Sequence, residues 1–201
     1  GFAKSIQEDY MPALKDVPNI TLYNFSNSIA GKAKGAVKSK YFLFFGRLSY
    51  EKGVKTLLEA FKDLPECHLK VVGTGPKKDD LESFAVACGM KNVEFLGYKK
   101  GRELKDLVKN AVIVPSEWYE NNPMSIIESY SEGTPVIGAK IGGIPEIVVE
   151  DETGYLFPSG HSGDLKSKIV LADGLTANEY LKLSEGSLRF AHEHLSLESY
   201  Y

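Results

Sequence analysis

The chain has 201 residues, which at about 150 residues per domain allows one substantial domain with additional elements. Its hydrophobic share of 43% and charged share of 25% are those of ordinary globular proteins and exclude disorder or a collagen-like repeat. Lys and Arg number 24 against 27 Asp and Glu, a net charge of −3, and no basic block is present, which argues against a nucleic-acid or anionic-membrane surface.

In chain order, Phe2–Met11 reads as a short amphipathic helix with Phe2, Ile6 and Tyr10 on one face. Pro12 and Pro18 bracket a linker, Ile20–Tyr23 reads as a short strand, and Asn24 to Lys40 is polar and Lys-rich. From Tyr41 onward, short apolar runs alternate with helical periodicity. The predicted strands are Tyr41–Phe45, Leu69–Val72, Val93–Leu96, Ala111–Val114, Pro135–Ile137 and Tyr155–Phe157. Between them, helix faces are marked by Val54, Leu57, Leu58 and Phe61, by Leu81, Phe84, Ala85 and Cys88, and by Leu104, Leu107 and Val108. Further helices are predicted from Pro123, near Ile144–Val149, around Leu165–Leu171 and from Ala177 to about Ala191. Such alternation implies parallel strands joined by right-handed crossovers. The fold class is α/β, a doubly wound Rossmann-like parallel sheet of about six strands over Tyr41 to about Leu175. None of the apolar runs is long enough to span a bilayer. Cys67 and Cys88, the two cysteines, make neither a disulfide framework nor a zinc site and point to a reducing cytoplasm.

Doubly wound sheets bind ligands beyond the carboxyl ends of their strands. There, Gly46 and Gly53 bound a loop carrying Arg47 and Lys52, a planar fork and a mobile point charge able to converge on phosphate oxygens. A solvated loop with Lys52 beside Glu51 is the plain alternative. Gly73-Thr74-Gly75-Pro76 opens like a dinucleotide fingerprint, but the third glycine position is Lys78, so it reads as a tight turn and disfavours a nicotinamide enzyme. After the fourth strand comes Pro115-Ser116-Glu117-Trp118-Tyr119-Glu120-Asn121-Asn122-Pro123-Met124-Ser125. Pro123 suits the first position of a helix and Asn122 its N-cap, and the helix end offers N–H groups to an anion. Glu120 lies just outside that end and Glu128 about 7.5 Å inside it. A diphosphate at the helix end would place an attached group near Glu120 and a ribose near Glu128. Taken singly, the two are a loop charge and a surface helix residue. Gly142-Gly143 precedes another helix, lining the same cleft or merely starting that helix. Trp118 and the aromatic first strand read as packing. His192 and His194 do not share a helix face, and no residue set suits a metal.

Four signatures occur in order: Gly46-Arg47 with Lys52-Gly53; Gly73-x-Gly75-Pro76; Glu120 with Glu128; and Gly133-Thr134-Pro135-Val136-Ile137 followed by Gly142-Gly143 and Glu146. Together they resemble the C-terminal half of family 4 (group 1) glycosyltransferases of the GT-B fold, over Asn24 to Tyr201. The resemblance implies a donor-binding domain of an enzyme that transfers a sugar from a UDP-, GDP- or ADP-sugar, retaining and without a metal or other cofactor. It implies that Arg47 and Lys52 hold the diphosphate, Glu120 faces the sugar, Glu128 binds ribose, and N–H groups near Met124 and Ser125 touch the distal phosphate or sugar. Gly97, Tyr98 and Lys99 match the nucleobase contact. Asn121-Asn122-Pro123 replaces the aromatic-glycine pair frequent in the family, which bears on sugar specificity. The implied organisation is the end of an N-terminal acceptor domain and a linker over 1–40, the nucleotide-sugar domain over 41–175, and a truncated helical segment over 176–201. The fragment alone is then inactive, the parent cytoplasmic or membrane-peripheral. Two alternatives are a GT-B nucleotide-sugar epimerase and a non-catalytic nucleotide-sugar-binding module.

Overall fold

The structure, a computed structural model, describes residues 2–11, 23–26, 28–31, 41–108 and 111–197. Six parallel strands form one sheet in the order β3-β2-β1-β4-β5-β6: β1 Phe42–Phe45, β2 Leu69–Val72, β3 Val93–Gly97, β4 Val112–Val114, β5 Val136–Ala139 and β6 Gly154–Phe157. The α/β sheet predicted from the alternation is thus present, with β2 at its predicted limits and the others shifted by at most two residues. Helices α2 Val54–Lys62, α3 Lys78–Ala87, α4 Gly101–Leu107, α5 Met124–Ser131 and α6 Ile144–Ile147 connect the strands, and α7 Ser162–Gly174 and α8 Ala177–His194 follow β6. Helix α1, Phe2–Tyr10, is present as predicted, with Ile6 and Tyr10 exposed. Of the predicted strand Ile20–Tyr23, only Tyr23 is among the described residues, and it is in no strand. No helix among the described residues is long and apolar enough to cross a membrane.

The sheet is covered on both faces, and β1 shows why its sequence is uniformly apolar. Alternate side chains of a strand point to opposite faces. Phe42 and Phe44 enter one core with Leu57, Phe61, Leu165 and Ile169; Leu43 and Phe45 enter the other with Ile126, Tyr130, Ile144 and Ala191. Val54, Leu57, Leu58 and Phe61 of α2 are all buried, the one-face spacing that marks a helix against a sheet.

Helix α8 fixes the opposite face. A capping box starts it, with the Glu179 N–H donating to the Thr176 side chain and the Thr176 N–H to the Glu179 carboxylate. It then packs on α5. Its end and that of α5 hold the segment before the domain: the Ser26 N–H donates to Leu195 O at 2.9 Å, after α8, and the Ala30 N–H to Ser131 O at 2.8 Å, at the end of α5. Helix α5 is tied from below by Tyr130, fully buried, whose hydroxyl donates to Thr153 Oγ1 at 2.7 Å. Thr153 Oγ1 also accepts from the Val149 N–H at 2.9 Å. Tyr130→Phe should therefore cost about 1–2 kcal/mol, one buried hydrogen bond, read as a lower urea midpoint at unchanged slope.

Candidate functional site

The strand order reverses between β1 and β4, which pair through Leu43 and Val112. In such sheets the usual ligand position is the crevice beyond the carboxyl ends of the strands at this point. The loops after β1 and β4 both carry predicted site residues.

The loop after β1 is bonded along its length to the loop after β2. The Gly46 N–H donates to Val72 O at 3.0 Å, Leu48 N–H to Thr74 O at 2.9 Å, and Lys77 N–H to Leu48 O at 2.9 Å. A Cβ on Gly73 would lie 1.8 Å from Gly46 O, and one on Gly75 2.3 Å from Leu48 O. The glycines of Gly73-Thr74-Gly75 thus serve this close approach, in agreement with the tight-turn reading.

The same loop is next joined to the loop after β4. Gly53, at φ +64°, has no room for a Cβ, which would fall 1.9 Å from Pro115 O. The Glu117 N–H donates to Glu51 O at 2.9 Å, and the Thr56 hydroxyl to Glu117 Oε1 at 2.5 Å. Lys52 Nζ reaches Glu120 Oε1 and forms an ion pair with it. The buried Ser116 hydroxyl donates to the same oxygen at 3.1 Å. Glu120's main chain is gripped as well. Gly143 N–H donates to Glu120 O at 2.7 Å, and a Cβ on Gly142 would lie 2.5 Å from that carbonyl. Gly142-Gly143 therefore packs on the Glu120 loop, and Gly143 is also the N-cap of α6.

Arg47 is exposed and makes no ion pair among the described residues. Its charge is felt nearby. The Ser49 hydroxyl, donating to Glu51 Oε1 at 2.5 Å, holds the Glu51 carboxyl below the ordinary glutamate range, and the charges of Arg47 and Lys52 add to that effect.

Helix α5 begins one residue later than predicted. Pro123 is its N-cap, with φ −68° and ψ 124°, and no side chain caps the end, so its first N–H groups, at Met124 and Ser125, lack helical partners. Asn122 is not the cap, because Pro123 itself stays extended and does not enter the helix. Its carbonyl accepts from Asn24 Nδ2 at 3.2 Å. Its amide Nδ2 and Oδ1 are buried without a partner among the described residues. Glu128 opens on a groove of about 300 Å³ between α4 and α5, with Gly101, Lys105, Met124 and Phe25 on its walls. The residue is exposed overall, yet burial of its carboxyl pushes its pKa up, against the opposing pull of Lys105.

Lys52 and Glu120 thus lie together, Glu120 just before α5 in the chain and Arg47 on the same loop as Lys52. Gly97 ends β3, and Tyr98 and Lys99 begin the loop after it. Gly97 O accepts from the Gly73 N–H at 2.8 Å, Tyr98 is exposed, and Lys99 pairs with Glu103 at 3.5 Å. The sequence reading missed Ser116, marked only by its place after a strand end. Trp118 is a correction: at 66% exposure it is no packing residue, and it stands edge-on to exposed Tyr119 with ring centroids 6.3 Å apart. It sits on a loop whose two ends are fastened, so its ring is turned outward.

The loop contacts make a graded prediction. Gly89, at φ +65°, has open space around a Cβ, so Gly89→Ala should cost only the left-handed backbone penalty of about 1–2 kcal/mol. Gly53→Ala adds a main-chain clash and should cost about 2–4 kcal/mol or fail to fold. Urea unfolding of both compares them directly.

The glycosyl transferases group 1 family matches residues 27–179. The chain is 36% identical over 126 residues to an uncharacterized glycosyltransferase of Methanocaldococcus jannaschii, covering 59% of this chain and 32% of that protein. To the sulfoquinovosyl transferase SQD2 of Arabidopsis thaliana it is 34% identical over 142 residues, covering 68% of this chain and 27% of that one. In fold it is similar to the Anabaena protein HepE, crystallised with UDP, at a TM-score of 0.73 and 24% identity over 82% of this chain and 47% of that one. The chain spans about a third of the length of these curated relatives. With its Rossmann-like sheet, its ordered motifs and a match over most of its length, the chain belongs to the glycosyl transferases group 1 family.

Proposed function

We propose that this chain is the donor-binding part of a glycosyltransferase that moves a sugar from a nucleoside diphosphate to an acceptor held by the remainder of the protein. One observation carries the reading. Where the strand order reverses, a loop with two cations pairs with a carboxylate on the loop that leads into an uncapped helix start. UDP in the similarly folded HepE and the sugar transfer named for SQD2 support it.

In this reading the diphosphate lies across Arg47, Lys52 and the N–H groups of Met124 and Ser125, with the sugar toward Glu120 and the ribose toward Glu128. As the bond from the sugar to the diphosphate breaks, negative charge grows on the leaving oxygens. Each fixed donor aimed at that charge lowers the barrier by about 3–4 kcal/mol, which is what its removal by mutation costs. Two cations and a helix end supply this without a metal, and we propose a metal-independent, retaining transfer. Gly97 to Lys99 are proposed for the nucleobase.

Calorimetric titration of this chain with UDP, GDP and ADP, with and without EDTA, tests the reading. At least one should bind, and EDTA should change nothing. Arg47→Ala should weaken that binding by about 1.5–3 kcal/mol, the worth of a hydrogen bond to a charged group, or roughly ten- to hundredfold. Wild-type affinity in Arg47→Ala would make Arg47 an ordinary loop charge.

The raised pKa of Glu128 adds a pH signature. A carboxylate accepts ribose hydroxyls best when ionised. Acidification should weaken nucleotide binding from a pH above the range where an ordinary glutamate titrates. In Glu128→Gln, binding should be weaker at neutral pH and lack this acid limb, leaving only the titration of the phosphate itself. Parallel acid limbs in both proteins would remove Glu128 from the ribose.

A further inference from the structure

The ion pair between Lys52 and Glu120 joins two residues that the donor is expected to use at opposite ends, one for the diphosphate and one for the sugar. Both are only partly accessible, at 29% and 19% of their side-chain surfaces, so their attraction is screened less than at an open surface. Glu120 is also a poor candidate for swinging away. Ser116 holds its carboxylate, Gly143 N–H holds its carbonyl, and the missing Cβ of Gly142 lets the main chains lock. Lys52, at the end of a short 3-10 turn over Tyr50–Lys52, carries the flexible member of the pair, a four-carbon stem with three donors.

Resting on the donor reading above, we infer that Glu120 restrains Lys52 by their ion pair, and that the pair discriminates the intact donor from the bare nucleoside diphosphate. A diphosphate must draw the ammonium off a fixed carboxylate. With the bare nucleotide, that carboxylate loses its partner beside a new negative charge. With the intact donor, a sugar hydroxyl donates to Glu120 in place of Lys52, and the exchange is balanced. The bare nucleotide, which is also the product that must leave, is therefore disfavoured relative to the donor. Glu120 thus has a second role, as a positioning residue acting through Lys52 and separate from any contact with sugar.

A double-mutant cycle on bare nucleotide separates this role from a sugar contact, because no sugar is present. Affinities for UDP, GDP and ADP are measured by calorimetry in the wild type, Glu120→Gln, Lys52→Met and the double variant. Glu120→Gln should bind the recognised nucleotide about three- to tenfold more tightly. Lys52→Met should cost more affinity in the Glu120→Gln background than in the wild type, by a similar factor. Equal costs in the two backgrounds, or a smaller cost in Glu120→Gln, would overturn the inference while leaving the donor reading in place. Absence of binding of any of the three to the wild type would overturn the donor reading itself. Should Glu120→Gln fail to fold, Glu120→Asp withdraws the carboxylate by one methylene and completes the same cycle.

Discussion

At the carboxyl edge of the sheet, main chains meet main chains where side chains would ordinarily intervene. Gly53 lies on the Pro115 carbonyl, Gly73 on that of Gly46, Gly75 on that of Leu48, and Gly142 on that of Glu120. Each contact brings two loops closer than any residue with a Cβ allows, and short N–H···O bonds between the same loops fasten them. The loops after β1, β2, β4 and β5 become one connected surface. Lys52 and Glu120 can face each other only because this surface has a fixed shape. Loops alone are the mobile parts of most folds, and functional groups on them need such support to hold their geometry.

The charges on this surface are distributed unevenly. Glu51 is engaged by Ser49, Glu117 by Thr56, and Glu120 by Lys52 and Ser116. Arg47 has no ion-pair partner among the described residues, and the uncapped start of α5 offers N–H groups that no side chain of the loop takes. The crevice is therefore not a pool of positive charge. It holds two unspent attractions for an anion and a third that is already in use. Electrostatic preference in such a place depends on which pairs must be exchanged more than on the net sum.

The fold was legible where one physical effect dominated. Uniformly apolar runs such as Phe42–Phe45 mark strands buried on both faces, and the spacing of Val54, Leu57, Leu58 and Phe61 marks a helix over a sheet. The strand order was not legible in these patterns, because nothing in a run of apolar residues states its neighbour. The site was legible as a set of residue types at strand ends. The pairing of Lys52 with Glu120 across 68 positions was not, since each residue had a sufficient local reading. Asn122 was misplaced as a cap because its chemistry suits that position, while the proline after it holds the chain extended for one residue more. Trp118 was misread because tryptophan usually fills cores; its loop is pinned on both sides, and the ring is left outside.

That last feature gives the molecule an intrinsic optical reporter. Trp118 is the single tryptophan of the chain, largely surrounded by solvent, beside Tyr119 and two residues from Glu120. Its emission should already lie at the long wavelengths of a hydrated indole in the native state, so unfolding has little further red shift to produce. Any group that settles against the Glu120 loop shields the ring from water or quenches it. Fluorescence in this protein thus reports what settles on the outer side of the Glu120 loop and is nearly silent on the integrity of the core, which is left to the far-ultraviolet signal of its helices.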